Sequence, residues 1–115
     1  MDEYGLTSID RLKHISSAVK SILEYCEDKS EKAFLADSLV QSAVLYQFLV
    51  IGEAIRFVDP DMLRKYPYPW HLPKSFRNYI AHEYFGINLR RVYATIAEIL
   101  PEFKILVDRM IEQEQ

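Results

Sequence analysis

The residues best suited to chemistry in this sequence lie together in the stretch RNYIAHEYFGIN, residues 77–88. Histidine is the side chain that most readily accepts and returns a proton near neutral pH, so His82 is a candidate general acid or base. Arg77 offers a planar, permanently charged fork that suits an anion such as a phosphate. Asn78 can donate and accept hydrogen bonds beside either group. The segment therefore predicts proton transfer next to a bound anion.

A regular helix would not bring all of these side chains together. At about 100° per residue, Asn78 and His82 share one face, whereas Arg77 and His82 are separated by about 140°. Two arrangements could still join Arg77 to His82. The helix could loosen at His82, before Gly86, or two copies of the segment could meet across a twofold axis, so that each chain supplies an arginine and a histidine.

The elements that must position this segment are helical. Thr7 and Asp10 resemble a capping box, and apolar residues then recur at helical spacing, which predicts a first amphipathic helix. The polar run EDKSEK, residues 27–32, marks the connection to the next element. A longer helical pattern follows and continues to about Val58, with room for a short separate turn around residues 33–36.

This second pattern is apolar around most of its circumference. In AVLYQFLVIGEAIRFV, residues 43–58, twelve of sixteen side chains are apolar. Such a helix is typically buried on two sides, and a homodimer is the economical explanation. Gly52 lies inside it and lowers helix stability by about 1 kcal/mol relative to alanine. We therefore predict that another backbone approaches closely at Gly52.

Four prolines then interrupt the helical pattern. Within KYPYPW, residues 65–70, the two Tyr-Pro steps must run extended or turn, because proline keeps the preceding residue out of the helical region. The aromatic side chains Tyr66, Tyr68 and Trp70 either pack over the bundle or stack on nucleic-acid bases.

Two more helical regions follow the proline-rich loop. A third helix is predicted to begin near Pro73, where a missing amide hydrogen does no harm, and to end at Gly86. Asn88 can cap the last helical region. Pro101 should kink that region or divide it into two helices.

Length and composition indicate one globular all-α domain, residues 1–115, built as an antiparallel bundle of four to five helices. Half of the residues are apolar, and three glycines with five prolines leave little room for a turn-rich β fold. The amino terminus has no basic region before an apolar run, and no run of 18 apolar residues occurs. We therefore expect a cytoplasmic protein without a membrane span. The single cysteine, Cys26, is predicted to be a small core residue.

The charge is unevenly distributed. The net charge of −3 argues against a protein coated in basic surface. Between Arg64 and Arg91, however, six positive residues stand against one acidic residue, Glu83. This segment could receive a phosphate-bearing partner, and a solvated basic face is the alternative.

The motif and its surroundings resemble the HEPN superfamily and, more narrowly, the HepT-like toxins of bacterial and archaeal toxin–antitoxin pairs. Arg77, His82 and Tyr84 match the pattern R-x-x-x-x-H-x-Y. The resemblance covers nearly the whole chain, because further segments are similar in order and spacing: DRLKHI at 10–15, IGEA at 51–54, PW at 69–70, and HEYFGIN leading into a helix. Asn78 matches the polar residue usual after the arginine, whereas Phe76 replaces a frequent methionine.

The resemblance implies a dimerising, HEPN-like helical bundle that cleaves RNA in a cleft between protomers, without a metal or a cofactor. His82 would take a proton from a ribose 2′-hydroxyl or return one to the leaving 5′-oxygen. Arg77 would stabilise the phosphate as negative charge builds, and Asn78 would fix the imidazole or bind a phosphate oxygen. DNA lacks the nucleophile and should not be cut. The product should end in a 2′,3′-cyclic phosphate.

The resemblance gives Tyr84 a separate role. In related pairs, a small nucleotidyltransferase antitoxin transfers AMP onto the tyrosine of this motif, and Tyr84 is the matching acceptor. The added phosphates would occupy the Arg77 site and repel an RNA backbone. A tyrosine that packs its ring under the loop is the alternative. For the whole protein, the alternative is a non-catalytic helical module that docks a nucleotidyltransferase.

The remaining polar candidates are weaker. His14 and His71 have no neighbouring cysteine, histidine or carboxylate in a zinc-binding pattern, so no metal site is predicted. Glu53, within IGEA, is predicted to be a buried hydrogen-bonding residue that supports the motif, and a surface charge is the alternative.

Overall fold

The computed structural model describes residues 2–83 and 85–115. Over those ranges all of the regular secondary structure is helical, without a strand, which confirms the predicted all-α class. The helices are α1 (Ser8–Tyr25), α2 (Glu31–Leu35), α3 (Ser38–Ile55), α4 (Pro60–Arg64), α5 (His71–His82), α6 (Leu89–Glu98) and α7 (Leu100–Glu114). Helices α2 and α4 have only five residues each, so the five longer helices match the predicted bundle.

Helix α1 begins with the predicted capping box. The Thr7 hydroxyl accepts the Asp10 amide hydrogen at 3.1 Å, and the Asp10 carboxylate accepts the Thr7 amide hydrogen at 2.9 Å. These two bonds satisfy amide groups that the helix itself leaves unpaired. At the other end, Cys26 is half-buried against the core, and burial raises the pKa of its thiol.

Helix α3 is the central element, because α1 and α5 both pack against it. Its inward face contributes buried residues to the core, namely Val44, Phe48, Ile51, Gly52, Ala54 and Ile55. Among the described helices it alone is long and apolar enough to cross a membrane, with a mean hydropathy of 1.4. Only 33% of its residues are buried, and a helix from the core of a folded domain meets the same criterion.

The proline-rich loop packs onto the bundle through its aromatic residues. Tyr66 is buried and its hydroxyl donates to the Glu114 carboxylate at 2.8 Å, while the Trp70 indole N–H is shared by the carbonyls of Leu63 and Tyr66. Burial and the bond to Glu114 raise the pKa of Tyr66. These two side chains therefore hold the loop in place, as the packing alternative predicted.

Helix α5 occupies a slightly different range from the predicted one. It begins at His71, two residues before Pro73, because proline is tolerated throughout the first turn. It ends at His82, earlier than the predicted Gly86, and the Gly86 amide instead closes a turn onto the Glu83 carbonyl at 2.8 Å. His82 is thus the last helical residue.

The final helical region is divided, as Pro101 predicted. Helix α6 ends at Glu98, and α7 starts at Leu100 with Pro101 in its first turn. At the start of α6, the Asn88 side chain accepts the Arg91 amide hydrogen, and the Asn88 amide donates to the Tyr79 hydroxyl at 2.8 Å. Asn88 therefore caps α6 and also ties it to α5.

Candidate active site

Arg77 is seated on α3 at Gly52. A β-carbon added to Gly52 would lie 2.2 Å from the Arg77 β-carbon, 2.7 Å from its γ-carbon and 3.0 Å from the Pro73 carbonyl oxygen. No side chain larger than hydrogen fits there unless α5 moves away. The predicted close approach at Gly52 therefore exists, and the element that approaches is α5 of the same chain.

The Arg77 guanidinium is fixed by two neighbouring side chains. Its Nη1 donates to the Asn78 amide oxygen at 3.2 Å, and its Nη2 lies 3.9 Å from the Glu53 carboxylate. Its Nε–H is buried and has no acceptor among the described residues. Asn78 thus contacts the guanidinium, whereas the predicted alternative of a bond to the His82 imidazole is not found within the described residues. An anion could accept the hydrogens that remain free on Arg77.

Glu53 links the arginine to a second cation. Its carboxylate accepts a hydrogen bond from Arg56 at 2.9 Å, in addition to the longer contact with Arg77. The Glu53 side chain is 41% exposed, so the expectation of a buried residue is wrong. Glu53 projects from α3 toward the groove and not toward the core, so its carboxylate can stay hydrated. Its proximity to the motif is as predicted.

A groove of about 460 Å³ opens beside Arg77, between α1, α3 and α5. Besides Arg77 and Glu53, its polar lining consists of Arg11, His14 and Arg56. No periodic pattern in the sequence groups these residues, because Arg11 and His14 come from α1 and Arg56 caps the end of α3, and only tertiary packing joins the two. Arg11 is buried and donates to Asp2 at 2.7 Å, which holds the pKa of the Asp2 carboxyl below its ordinary value of 3.8.

His82 lies at the open end of α5. Its side chain is exposed, and no described residue hydrogen-bonds its imidazole. The helix remains regular through His82, so it does not loosen to bring this side chain toward Arg77. Within one chain the two side chains stay about 140° apart around the helix axis. Tyr84, the predicted AMP acceptor, lies outside the described residues.

Several cations of the basic segment, residues 64–91, are paired with acidic side chains. Arg64 pairs with Asp61, Lys65 with Glu114 at 3.1 Å, and Arg90 with Glu31 at 2.6 Å. Three of the six cations are therefore locally neutralised, and a fourth, Arg77, has the longer contact with Glu53 at 3.9 Å. Lys74 in α5 and Arg91 in α6 have no ion pair among the described residues, and both lie beside the motif. No group of three or more His, Cys, Asp or Glu side chains that could hold a metal ion occurs within residues 2–83 and 85–115.

The chain resembles a family of known proteins over most of its length. The profile of the family described as HepT-like, Ribonuclease HepT-like, matches residues 15–110. No solved structure matches the chain significantly.

Several curated proteins are similar to the chain. The probable ribonuclease HepT of Thermococcus cleftensis is 32% identical over 83% of this chain and 87% of its own length. A candidate RNase of Methanocaldococcus jannaschii is 33% identical over 78% of this chain and 75% of its own length. Another protein of that organism, named gamma-glutamylcyclotransferase and candidate RNase, is 29% identical over 89% of this chain, and the match spans only 46% of that relative.

Proposed function

The chain belongs to the HepT-like ribonuclease family and is an endoribonuclease, and we propose that it cuts RNA at a site formed by Arg77 and His82. The observation that carries this proposal is the seat of Arg77. Its side chain packs against Gly52, yet the side chain is 37% exposed and lines the groove, so its guanidinium can meet a phosphate there. This is the preorganised positive charge that a phosphoryl transition state requires.

The proposed reaction needs no group beyond the side chains of the protein and the RNA itself. The His82 imidazole removes the proton of a ribose 2′-hydroxyl, and the 2′-oxygen forms a bond to the adjacent phosphorus. The bond from phosphorus to the 5′-oxygen breaks, and that oxygen takes up the proton that the His82 imidazolium returns. Arg77 stabilises the charge on the non-bridging oxygens. The products are a 2′,3′-cyclic phosphate and a free 5′-hydroxyl.

We propose that two chains complete the site. Because α5 is regular through His82, one chain cannot place both side chains on one phosphate without distortion. An outward stripe of α3 offers a surface for the second chain: Leu39 is 79% exposed and Tyr46 is 63% exposed. The stripe continues to Val50 and Glu53, which line the groove beside Arg77. A twofold axis along this stripe would bring the α5 helices of both chains to one cleft.

Substitution of the two proposed catalytic residues tests the mechanism. Arg77→Ala and His82→Ala should each lower the cleavage rate of single-stranded RNA by roughly 10²–10⁴-fold, with EDTA present throughout. Arg64→Ala and His71→Ala are matched controls on exposed residues and should keep the wild-type rate. A 2′-deoxy substrate should remain intact. Cleavage that persists in His82→Ala, or that stops with EDTA, would reject this chemistry.

Mixing the two inactive variants tests whether partner chains share a site. If each site takes its arginine from one chain and its histidine from the other, half of the mixed dimers' sites are intact, and roughly a quarter of the wild-type activity returns. If both residues come from the same chain, no activity returns. Sedimentation of the unmixed variants should first show that both still form dimers.

We also propose that the chain is the toxin of a toxin–antitoxin pair and that a nucleotidyltransferase silences it by transferring AMP to Tyr84. The position of Tyr84 supports this, because it follows His82 by two residues in a motif that resembles the modified one. The chain, treated with such an enzyme and ATP, should gain the mass of AMP and lose cleavage. Tyr84→Phe should block the mass gain, and Tyr46→Phe should not. A mass gain on a protein that never cut RNA would favour the docking-module alternative.

A further inference from the structure

A second cavity, of about 300 Å³, lies on the side of α5 away from the Arg77 groove. Its walls are mostly apolar and include four aromatic residues from α3, α5, α7 and the proline-rich loop, namely Phe48, Phe76, Phe103 and Tyr68. The aliphatic part of the lining consists of Ile51, Leu72, Pro73, Ile99 and Leu100. The Phe48 and Phe76 rings meet edge to face at 4.9 Å, and Tyr68 lies 5.3 Å from Phe103. Unlike Tyr66 and Trp70, Tyr68 therefore faces a space large enough for a small planar group.

The exposed part of the cavity lining combines apolar side chains, Leu72 and Ile99, with polar and positively charged ones. Arg91 lines the cavity and stacks its guanidinium over Tyr79 at 4.6 Å and over Phe76 at 5.5 Å. The adjacent Arg90 is held by Glu31, whereas Arg91 has no ion pair among the described residues. The hydroxyls of Ser75 and Thr95 also line the cavity. Apolar walls that include four aromatic rings, beside an arginine without a described ion pair, match a planar ring that carries a nearby phosphate.

The cavity and the Arg77 groove are joined by the exposed surface of α5. Lys74, Asn78 and His82 are spaced four residues apart and form an exposed stripe. At about 100° per residue, Arg77 lies on one side of this stripe and Ser75 on the other. A single nucleic-acid strand that crosses the stripe could therefore reach both the groove and the cavity.

We propose that the cavity is a nucleobase-binding subsite for an unpaired base of the RNA, next to the phosphate that Arg77 holds. This inference rests on the proposed function, since that function supplies the strand. The base stacks on the aromatic wall, and Arg91 contacts its phosphate. Because an unpaired base must enter the cavity, the subsite would select single-stranded RNA over a duplex.

Binding of an uncleavable strand tests this subsite separately from catalysis. The probe is a short single-stranded oligonucleotide with 2′-O-methyl riboses and one 2-aminopurine, placed in turn at each position. Stacking in the cavity should quench the 2-aminopurine at one position only. Ser75→Leu, which narrows the mouth, and Arg91→Gln should each weaken binding roughly tenfold by fluorescence anisotropy and remove the quenching. Ser17→Leu and Arg90→Gln are the matched controls and should behave as wild type.

The outcomes separate this inference from the nuclease proposal. Position-specific quenching that Arg91→Gln removes would support the subsite even if the wild-type protein cut no RNA. Equal binding by the wild type, Ser75→Leu and Arg91→Gln, without quenching at any position, would overturn the subsite while cleavage by the wild type upheld the nuclease. A probe that binds to none of the proteins would also overturn it.

Discussion

The two ends of the R-x-x-x-x-H segment are held very differently, although both lie on α5. Arg77 is packed against Gly52, bonded to Asn78 and paired with Glu53. His82, five residues later, is exposed at the end of the helix and has no described hydrogen-bond partner. The charge proposed to bind phosphate is thus preorganised within one chain, whereas the group proposed to transfer protons must be oriented by something else. A second chain or the substrate itself could supply that contact.

The first prediction concerns the packing of Arg77 against Gly52 and has the largest expected effect. Gly52→Val should push α5 away from α3, because the new side chain would overlap the Arg77 β- and γ-carbons. We expect stability to fall by about 1–3 kcal/mol, as in other overpacked sites. Cleavage should fall by roughly 100-fold, since a displacement of about 1 Å is enough to misalign a catalytic group. Urea unfolding and cleavage rates measure the two effects.

A glycine substitution elsewhere serves as the control for Gly52→Val. Among the described residues, a β-carbon added at Gly86 would meet only the Glu83 carboxylate, at 3.9 Å, so Gly86→Ala should leave stability nearly unchanged. If Gly52→Val cut RNA at the wild-type rate, the packing of Arg77 against Gly52 would be irrelevant to catalysis. The difference in how Arg77 and His82 are held would then have no functional consequence.

The second prediction concerns the orientation of Arg77 and has a smaller expected effect. Glu53→Gln removes the carboxylate that lies 3.9 Å from Arg77 and keeps the side-chain shape. Because this pair is partly exposed, we expect the turnover number to fall only about two- to fivefold, with little change in KM. Arg56→Gln, which removes the other partner of Glu53, is the control and should change the turnover number less. A faster Glu53→Gln enzyme would mean that Glu53 holds Arg77 away from the phosphate.

The third prediction has the smallest expected effect. It concerns how the stability from the contact between Asp2 and Arg11, which lines the groove, depends on pH. The bond from Arg11 lowers the pKa of Asp2, so the folded state gains stability while Asp2 is ionised. That contribution is present above the ordinary pKa of 3.8 and disappears as the pH falls through the lowered folded value. Asp2→Asn should therefore be less stable than wild type at neutral pH and approach it in acid.

Urea midpoints measured from neutral pH downward check this difference. Glu3→Gln removes a neighbouring exposed charge and is the control. A constant difference between Asp2→Asn and wild type at every pH would show that the ionised carboxylate is not what stabilises the Arg11 contact.

Much of the architecture followed from local patterns. The Thr7 and Asp10 capping box, the Asn88 cap and the break at Pro101 depend on residues within a few positions of one another, and all three are present. The glycine at position 86 predicts the end of α5 four residues too late, because the helix ends at His82 and the turn that follows closes at the Glu83 carbonyl. Helix ends are decided by which carbonyls find partners, and spacing alone does not reveal that.

The geometry of the candidate site follows from sequence spacing even less than the helix ends do. The chemical identities of Arg77, Asn78, His82 and Tyr84, and their membership of one segment, follow from the order of residues alone. That Gly52 receives Arg77, that Glu53 is shared with Arg56, and that Arg11 and His14 face the same groove depend on how α1, α3 and α5 pack. The reason is physical: helical periodicity assigns each side chain to a face of its own helix, and only the packing of helices decides which faces meet.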